Sequence, residues 1–263
     1  MNPLASAVTM TALVAASATV HAQSDFYRRT MPPNASEGGV AGLAVIAGHR
    51  YQGSDESRIR VLPSIEYQWS NGFFAGVMSG VGYNASRRSE MSYGARITAD
   101  FGRKERRSSV LRGLGDIDPR PEIGAFFNAN LTSNLTLNSA VRFGSGNNRN
   151  GLLLDLGAGW NTRISPSLQF SATVATTWSN NRYAQDYFGI TKEQAINSGY
   201  AEFAPGSGLR DVRLGTSVIY RMNPKWSLVG SLVYSELIGD ARNSPIVRQK
   251  GSLSSVIALG YNF

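Results

Sequence analysis

The sequence predicts an all-β chain, a transmembrane antiparallel up-and-down β-barrel of ten to twelve strands. Three observations predict it: long runs in which apolar and polar residues alternate, aromatic residues at the ends of those runs, and a last run that alternates up to the final residue. Between Ile59 and Trp69 the odd positions read Ile59, Val61, Pro63, Ile65, Tyr67 and Trp69, and the even ones include Arg60, Ser64, Glu66 and Gln68. From Met91 to Phe101 the odd positions are again apolar, with Ser92, Gly94, Arg96, Thr98 and Asp100 between them. A period of two puts successive side chains on opposite faces of a strand, whereas a helix repeats its apolar stripe every three to four residues.

Further runs cover 39–50, 72–83, 121–132, 134–145, 151–162, 166–178, 209–222, 225–237 and 252–263. Each is close to the roughly nine to eleven residues that a tilted strand needs to cross a bilayer. Strands of soluble sheets average about five or six residues, so a chain built almost wholly from longer ones reads as a membrane barrel. Trp69, Phe73, Tyr83, Phe101, Phe143, Trp160, Trp178, Tyr220, Trp226, Tyr261 and Phe263 stand at run ends, as the aromatic girdles of such barrels do. In the last run Ile257, Leu259, Tyr261 and Phe263 alternate to the terminus, a pattern similar to the C-terminal assembly signature of outer-membrane barrels.

These runs number eleven, and bacterial single-chain barrels normally have an even count. The turns at Ser70-Asn71-Gly72 and Thr132-Ser133-Asn134 both have the short, polar character of periplasmic turns, yet an odd number of runs separates them. The discrepancy therefore lies between 72 and 132. A hidden strand in 103–120 gives twelve; one run that fails to span gives ten.

Residues 1–22 lack charge, run apolar from Ala7 to Val20 and close on Val20-His21-Ala22, a small-x-small site suited to signal peptidase. A cleaved signal peptide over 1–22 and a barrel over 23–263 are expected, with the outer membrane as destination. The chain has no cysteine, which removes disulfides and thiolate chemistry. Its 28 glycines and its charged fraction of only 17% suit strands and tight turns. The net charge of +8 is spread along the chain rather than gathered into a stripe interleaved with aromatics, so nucleic acid is not an expected partner. Outer-membrane lipid and lipopolysaccharide are.

On the faces expected to point inward, Arg60, Arg96, Arg142, Arg213 and Arg221 meet Glu66, Asp100, Glu122, Asp155 and Asp211. Balanced charges in a narrow lumen tend to pair and fill it, whereas a selective pore favours one sign.

Four loop segments carry a further signal: Tyr51-Gln52-Gly53-Ser54-Asp55; Gly113-Leu114-Gly115-Asp116-Ile117-Asp118; Tyr187-Phe188-Gly189-Ile190-Thr191 with Gln194-Ala195; and Gly239-Asp240-Ala241, followed by Ser244-Pro245-Ile246-Val247. Thr191 is placed to cap a short helix that begins at Lys192. In order and spacing these segments, with the terminal Tyr-x-Phe, resemble the MipA/OmpV family of outer-membrane proteins over almost the entire mature chain. The resemblance implies a barrel that scaffolds a murein transglycosylase and a murein synthase, or that mediates contacts at the cell surface. It implies no catalytic, cofactor or metal site.

Two site hypotheses remain. Asp116, Asp118 and Asp240 are loop carboxylates, but their spacing does not supply the six to eight oxygens that calcium takes, and turn chemistry explains them better. After cleavage His49 is the single histidine, near Ser54, Asp55 and Glu56, the residue types of a lipid hydrolase. Neighbours in sequence at a strand end seldom reach nucleophile-base-orienter geometry, so an enzyme is not expected. The cationic group Arg103, Lys104, Arg106, Arg107 and Arg112 suits lipopolysaccharide phosphate on one side of the membrane, or murein and an acidic partner on the other, and reads equally as a solvated charge run. A scaffold or surface-interaction protein is the expected function, a narrow passive channel for small solutes the alternative, and a lipid hydrolase the third reading.

Overall fold

A computed structural model describes residues 37–263. The expected signal segment lies outside the described residues. Twelve strands close into one barrel: β1 (Gly38–His49), β2 (Ser57–Gln68), β3 (Phe73–Gly76), β4 (Gly80–Asn84), β5 (Met91–Asp100), β6 (Arg120–Asn130), β7 (Leu135–Ser145), β8 (Gly151–Arg163), β9 (Leu168–Ser179), β10 (Gly208–Arg221), β11 (Trp226–Leu237) and β12 (Gly251–Asn262). Each pairs antiparallel with its neighbours in sequence, and β1 closes on β12 through Val40↔Asn262 to Ala47↔Ser255.

The alternation read from the sequence is the alternation of the wall. On β2, Ile59 and Val61 are 72% and 62% exposed on the outside, while Arg60, Ser64 and Glu66 are buried within. Leu43, Ile97, Ile123, Leu214, Ile257 and Leu259 extend the same apolar outer belt around the circumference, the face a barrel turns to lipid.

The connections 50–56, 101–119, 146–150, 180–207 and 238–250, the four longest of the barrel among them, leave from one end. The other end carries the short turns, including 69–72 and 131–134, which the sequence reading placed together. A dense aromatic ring marks this short-turn end: Tyr67–Trp69, Phe73–Tyr83, Trp160–Phe170 and Trp226–Tyr261 have ring centroids 4.9, 5.0, 6.4 and 5.1 Å apart. Phe101 belongs to neither rim, because it packs inward.

The strand count is twelve, but not for the reason expected. The run 72–83 folds back on itself at Val77-Met78-Ser79, so that β3 and β4 form a hairpin of about half the wall's height. The reversal takes Gly80 at φ +76°, a left-handed conformation, and Gly76, where any side chain would collide with the Glu66 carboxylate. Glu66 accepts hydrogen bonds from Met78 N (2.7 Å) and Ser79 Oγ and so anchors the turn. The segment 103–120 holds no spanning strand. It makes one bridge, Arg103↔Ile117, and two 3-10 turns, at Glu105–Arg107 and Ser109–Leu111.

The lumen is divided by chemistry. Ala44, Ile46, Ile219, Val229, Val256 and Ala258 from β1, β10, β11 and β12 form an apolar cluster with Met78 of the half-height turn, and Leu62 and Phe101 pack on it. Charged side chains lie on the inward faces of β6, β7, β8 and β10.

Candidate functional site

Three pieces build a lid over the long-loop end. Asn180 starts helix α1 (Asn181–Phe188) by accepting from Tyr183 N, and the spacing of Tyr183 and Tyr187 by four residues stacks their rings 4.5 Å apart on one helix face. Thr191 then caps α2 (Lys192–Ser198) in a reciprocal capping box with Gln194, as its position predicted. The third piece is the irregular chain of 101–119 and 238–250.

The four loop segments singled out in the sequence converge in this lid. Tyr51, Leu114, Ile190 and Ile246 share one buried cluster with Leu111, and Ile117, Tyr187, Phe188 and Ala241 share another with Leu153, Tyr183 and Leu237. Tyr51 Oη donates to Ile246 O (2.9 Å), Gln194 Nε2 to Leu114 O (2.6 Å), Ser244 Oγ to Phe188 O (2.5 Å), and Arg248 N to Gly53 O (2.8 Å). Each segment is thus bonded to another, and burial combined with fixed polar partners holds the loops in one arrangement. Arg103, whose type suggested a phosphate ligand, is instead 4% exposed, and its guanidinium donates to Tyr187 O at 2.7 Å. Burial pushes the Tyr51 and Tyr183 hydroxyls up to about 12, and that of Tyr187 well above the ordinary tyrosine range.

Beneath the lid lies a chain of buried ion pairs. Arg142, 2% exposed, bridges Glu122 (2.9 Å) and Asp155 (2.9 Å); Arg213 links Asp155 (3.7 Å) to Asp211 (3.4 Å); Arg210 holds Asp211 at 2.6 Å. Asp100 joins the lumen to the lid by accepting from Tyr187 Oη and from Gly146 N. Parity in the sequence places every carboxylate of this ion-pair chain inward but points Arg210 outward. A bulge between Leu209 and Asp211 turns both Arg210 and Asp211 inward, where Arg210 also donates to Tyr183 Oη at 2.9 Å. Of the remaining inward arginines, Arg221 bonds Gln169 (3.2 Å) and Arg96 lies 5.8 Å over the Phe126 ring. A cavity of about 100 Å³ adjoins the network, lined among others by Arg96, Asn128, Asn138, Asp155 and Arg213.

The other candidates are spoken for. Ser54 is fully buried and bonded to the Glu56 backbone, and the Glu56 carboxylate takes Arg50 (3.0 Å) and Ser108 Oγ (3.1 Å). None of these bonds reaches His49, whose Nδ1 has no hydrogen-bond partner among the described residues. Asp116 and Asp118 grip Lys104 Nζ at 3.1 and 2.6 Å, and Asp240 accepts from Gly206 N at 2.7 Å. Among the described residues no three His, Cys, Asp or Glu side chains gather as a metal site.

A closed barrel with an apolar outside, ion-paired inside and a folded lid defines the class: a β-barrel of the membrane-spanning kind whose family signature lies in its lid. The profile of the MltA-interacting protein MipA family matches residues 41–263, and the chain belongs to that family. No curated protein matches the sequence. Solved structures with a similar outline include the NanC porin (13% identity, TM-score 0.47, 83% of this chain and 98% of that one). The KdgM porin (10%, 0.45, 85% and 99%) and the COG4313 outer membrane channel from Pseudomonas putida F1 (12%, 0.42, 89% and 100%) are further examples. At these scores nothing about conduction follows for this chain.

Proposed function

We propose that this protein is an outer-membrane barrel that works as a scaffold or surface-interaction protein, neither an open pore nor an enzyme. One observation carries the reading: the segments that define the family are spent on a packed lid that bonds to an ion-paired lumen. Charges that satisfy each other do not form the single-sign ring of a selective pore. The surfaces left for work are the two ends. With long loops outside and short turns in the periplasm, the usual arrangement, the lid faces the medium. The turn 85–90, with exposed Arg87 and Arg88, then faces the periplasm.

The family's name points to a partner, the transglycosylase MltA, and with it to murein-degrading and murein-synthesising enzymes on the periplasmic side. The test is a pull-down from membranes solubilised in mild detergent, with the folded full chain as bait. Recovery of a murein transglycosylase or synthase that is lost in R87E/R88E supports the reading. Equal recovery by that variant and by an unrelated barrel contradicts it. The second reading, a narrow passive channel, draws on the polar cavity beside Arg96 and Arg213 and requires the lid to open.

A further inference from the structure

The lumen is sealed at one end and not at the other. Next to the lid, Glu122 and Arg142 are 1% and 2% exposed. Along the same inward faces towards the short turns, burial gives way. Ala140, Asn138 and Thr136 follow Arg142 on β7 and are all partly exposed, Asn128 and then Asn130 follow the buried Phe126 on β6, and β8 ends inward on an exposed Arg163. The Asp155 side chain, at the foot of the ion-pair chain, is already 20% exposed. Solvent thus reaches the lumen from the short-turn end, and the cavity of about 100 Å³ beneath the ion pairs is the inner end of that recess.

Its walls carry polar groups in rows. Asn128 of β6 and Asn138 of β7 are directly opposed in the register, and Ser171, Ser217 and Ser231 stand side by side on β9, β10 and β11. All five line the cavity. Opposed side chains on one face lie about 5 Å apart, so each row falls within the span of one small molecule. Asn128 Nδ2 donates to Ser92 Oγ at 3.1 Å, and Ser171 Oγ to Asn161 Oδ1 at 2.7 Å. The Asn138 amide and the Ser217 and Ser231 hydroxyls make no hydrogen bond among the described residues. Polar groups turned into a recess in this way call for a partner.

Charge favours an anion. Arg96, Arg213 and Asp155 are the charged residues on the cavity wall, two guanidiniums to one carboxylate. Arg213 reaches Asp155, Asp211 and Thr177 through Nε and Nη2, and none of these contacts uses Nη1. Arg96 keeps its place over Phe126, and a guanidinium with its fork of N–H donors adds a ligand to the contacts that it already makes. Between the cavity and the short turns the inward faces of β6 to β11 bring only cations, Arg163 and Arg221. Across the lumen the Glu66 carboxylate is held by the half-height turn. Size narrows the class further. A cavity of about 150 Å³ holds benzene, so this one takes a group of roughly four heavy atoms, the size of a carboxylate with its neighbouring carbon.

We propose that this recess is a binding site for a small carboxylate, entered from the short-turn end, with Arg96 and Arg213 facing the carboxylate and Asn138, Ser217 and Ser231 completing its hydrogen bonds. It is a blind cup and not a passage, because ion pairs and lid close it above. The site goes beyond the scaffold reading and does not depend on which protein the barrel recruits.

The test is isothermal titration calorimetry of the refolded full chain in detergent with acetate and with its neutral counterpart, acetamide. Acetate is expected to occupy one site per chain, and acetamide to bind about tenfold more weakly. Asn138→Ala removes a donor, and Ala140→Leu fills the cavity while leaving every polar group in place; each is expected to weaken acetate about tenfold. Tighter binding of N-acetyl-D-alanine or of glucuronate supports the proposal and tells a peptide end from a sugar acid. The chain has no cysteine, so the direction of entry is read with lone thiols. A bulky maleimide on Thr136→Cys, at the mouth, is expected to block acetate, and the same label on Ile196→Cys, exposed on the lid, to leave it unchanged. Equal affinity for acetate and acetamide, phosphate bound in preference to acetate, binding unchanged in Ala140→Leu, or a block by the lid label instead of the mouth label overturns the proposal. If Ala140→Leu fails to give the heat-modifiable folded form, Asn138→Ala and the two labels decide.

Discussion

At the scale of single residues the account rests on Arg142. Its guanidinium satisfies Glu122 and Asp155 together, so removal strands the buried Glu122 and the part-buried Asp155 without their cation. Arg142→Met is expected to cost about 3–5 kcal/mol, read as a lower urea midpoint for loss of the folded band. Arg221→Met, at a hydrogen bond rather than an ion pair, is expected to cost about 1 kcal/mol.

The lid tyrosines give a pH prediction. Because the folded state raises Tyr51 and Tyr183 to about 12, lid stability is complete below the ordinary tyrosine value and is lost as pH rises from there through about 12. Ultraviolet titration should show a group of tyrosines ionising only with lid opening, and normal titration of all eleven contradicts a packed lid. Much at this scale was legible in the sequence, since parity alone placed the carboxylates of the network. Arg210 was not, because a bulge is a one-residue slip that alternation cannot reveal.

At the scale of elements, ten of the eleven runs became single strands with ends shifted by at most two residues, since length and period are set by the pleat and the membrane. The run 72–83 misled because Phe73, Ala75, Val77, Val81 and Tyr83 keep one parity through the reversal, with Ser79 the one polar residue among the odd positions. The only trace is Gly76 and Gly80 framing Val77-Met78-Ser79, and its meaning depends on Glu66, a neighbour across the sheet. Helix α1 was missed as well: Tyr183, Ala184, Tyr187 and Phe188 recur at helical spacing, but over only eight residues inside a long loop. Gly113 tests the lid as an element. It adopts φ +82°, and a Cβ there would lie 2.5 Å from Asn197 O, so Gly113→Ala is expected to destabilise the lid by about 1–3 kcal/mol. Limited proteolysis should then cut within 101–119 or 180–207 while the barrel band persists. Resistance equal to the native chain contradicts the packing described.

At the scale of the whole molecule, opposite charges on the inward faces of β6, β7, β8 and β10 pair with one another, and the lid bonds to that network through Tyr183 and Arg210. What composition could not convey was that the family's loop segments, far apart in the chain, are one body in space. The central claim is that this body seals the barrel. Single-channel conductance of the refolded full chain in planar bilayers tests it most directly, with heat-modifiable migration confirming insertion of folded protein. The sealed-barrel account predicts a silent membrane with the native chain and conductance steps once 182–206 is replaced by a short glycine-serine linker. Steady conductance from the native chain contradicts it.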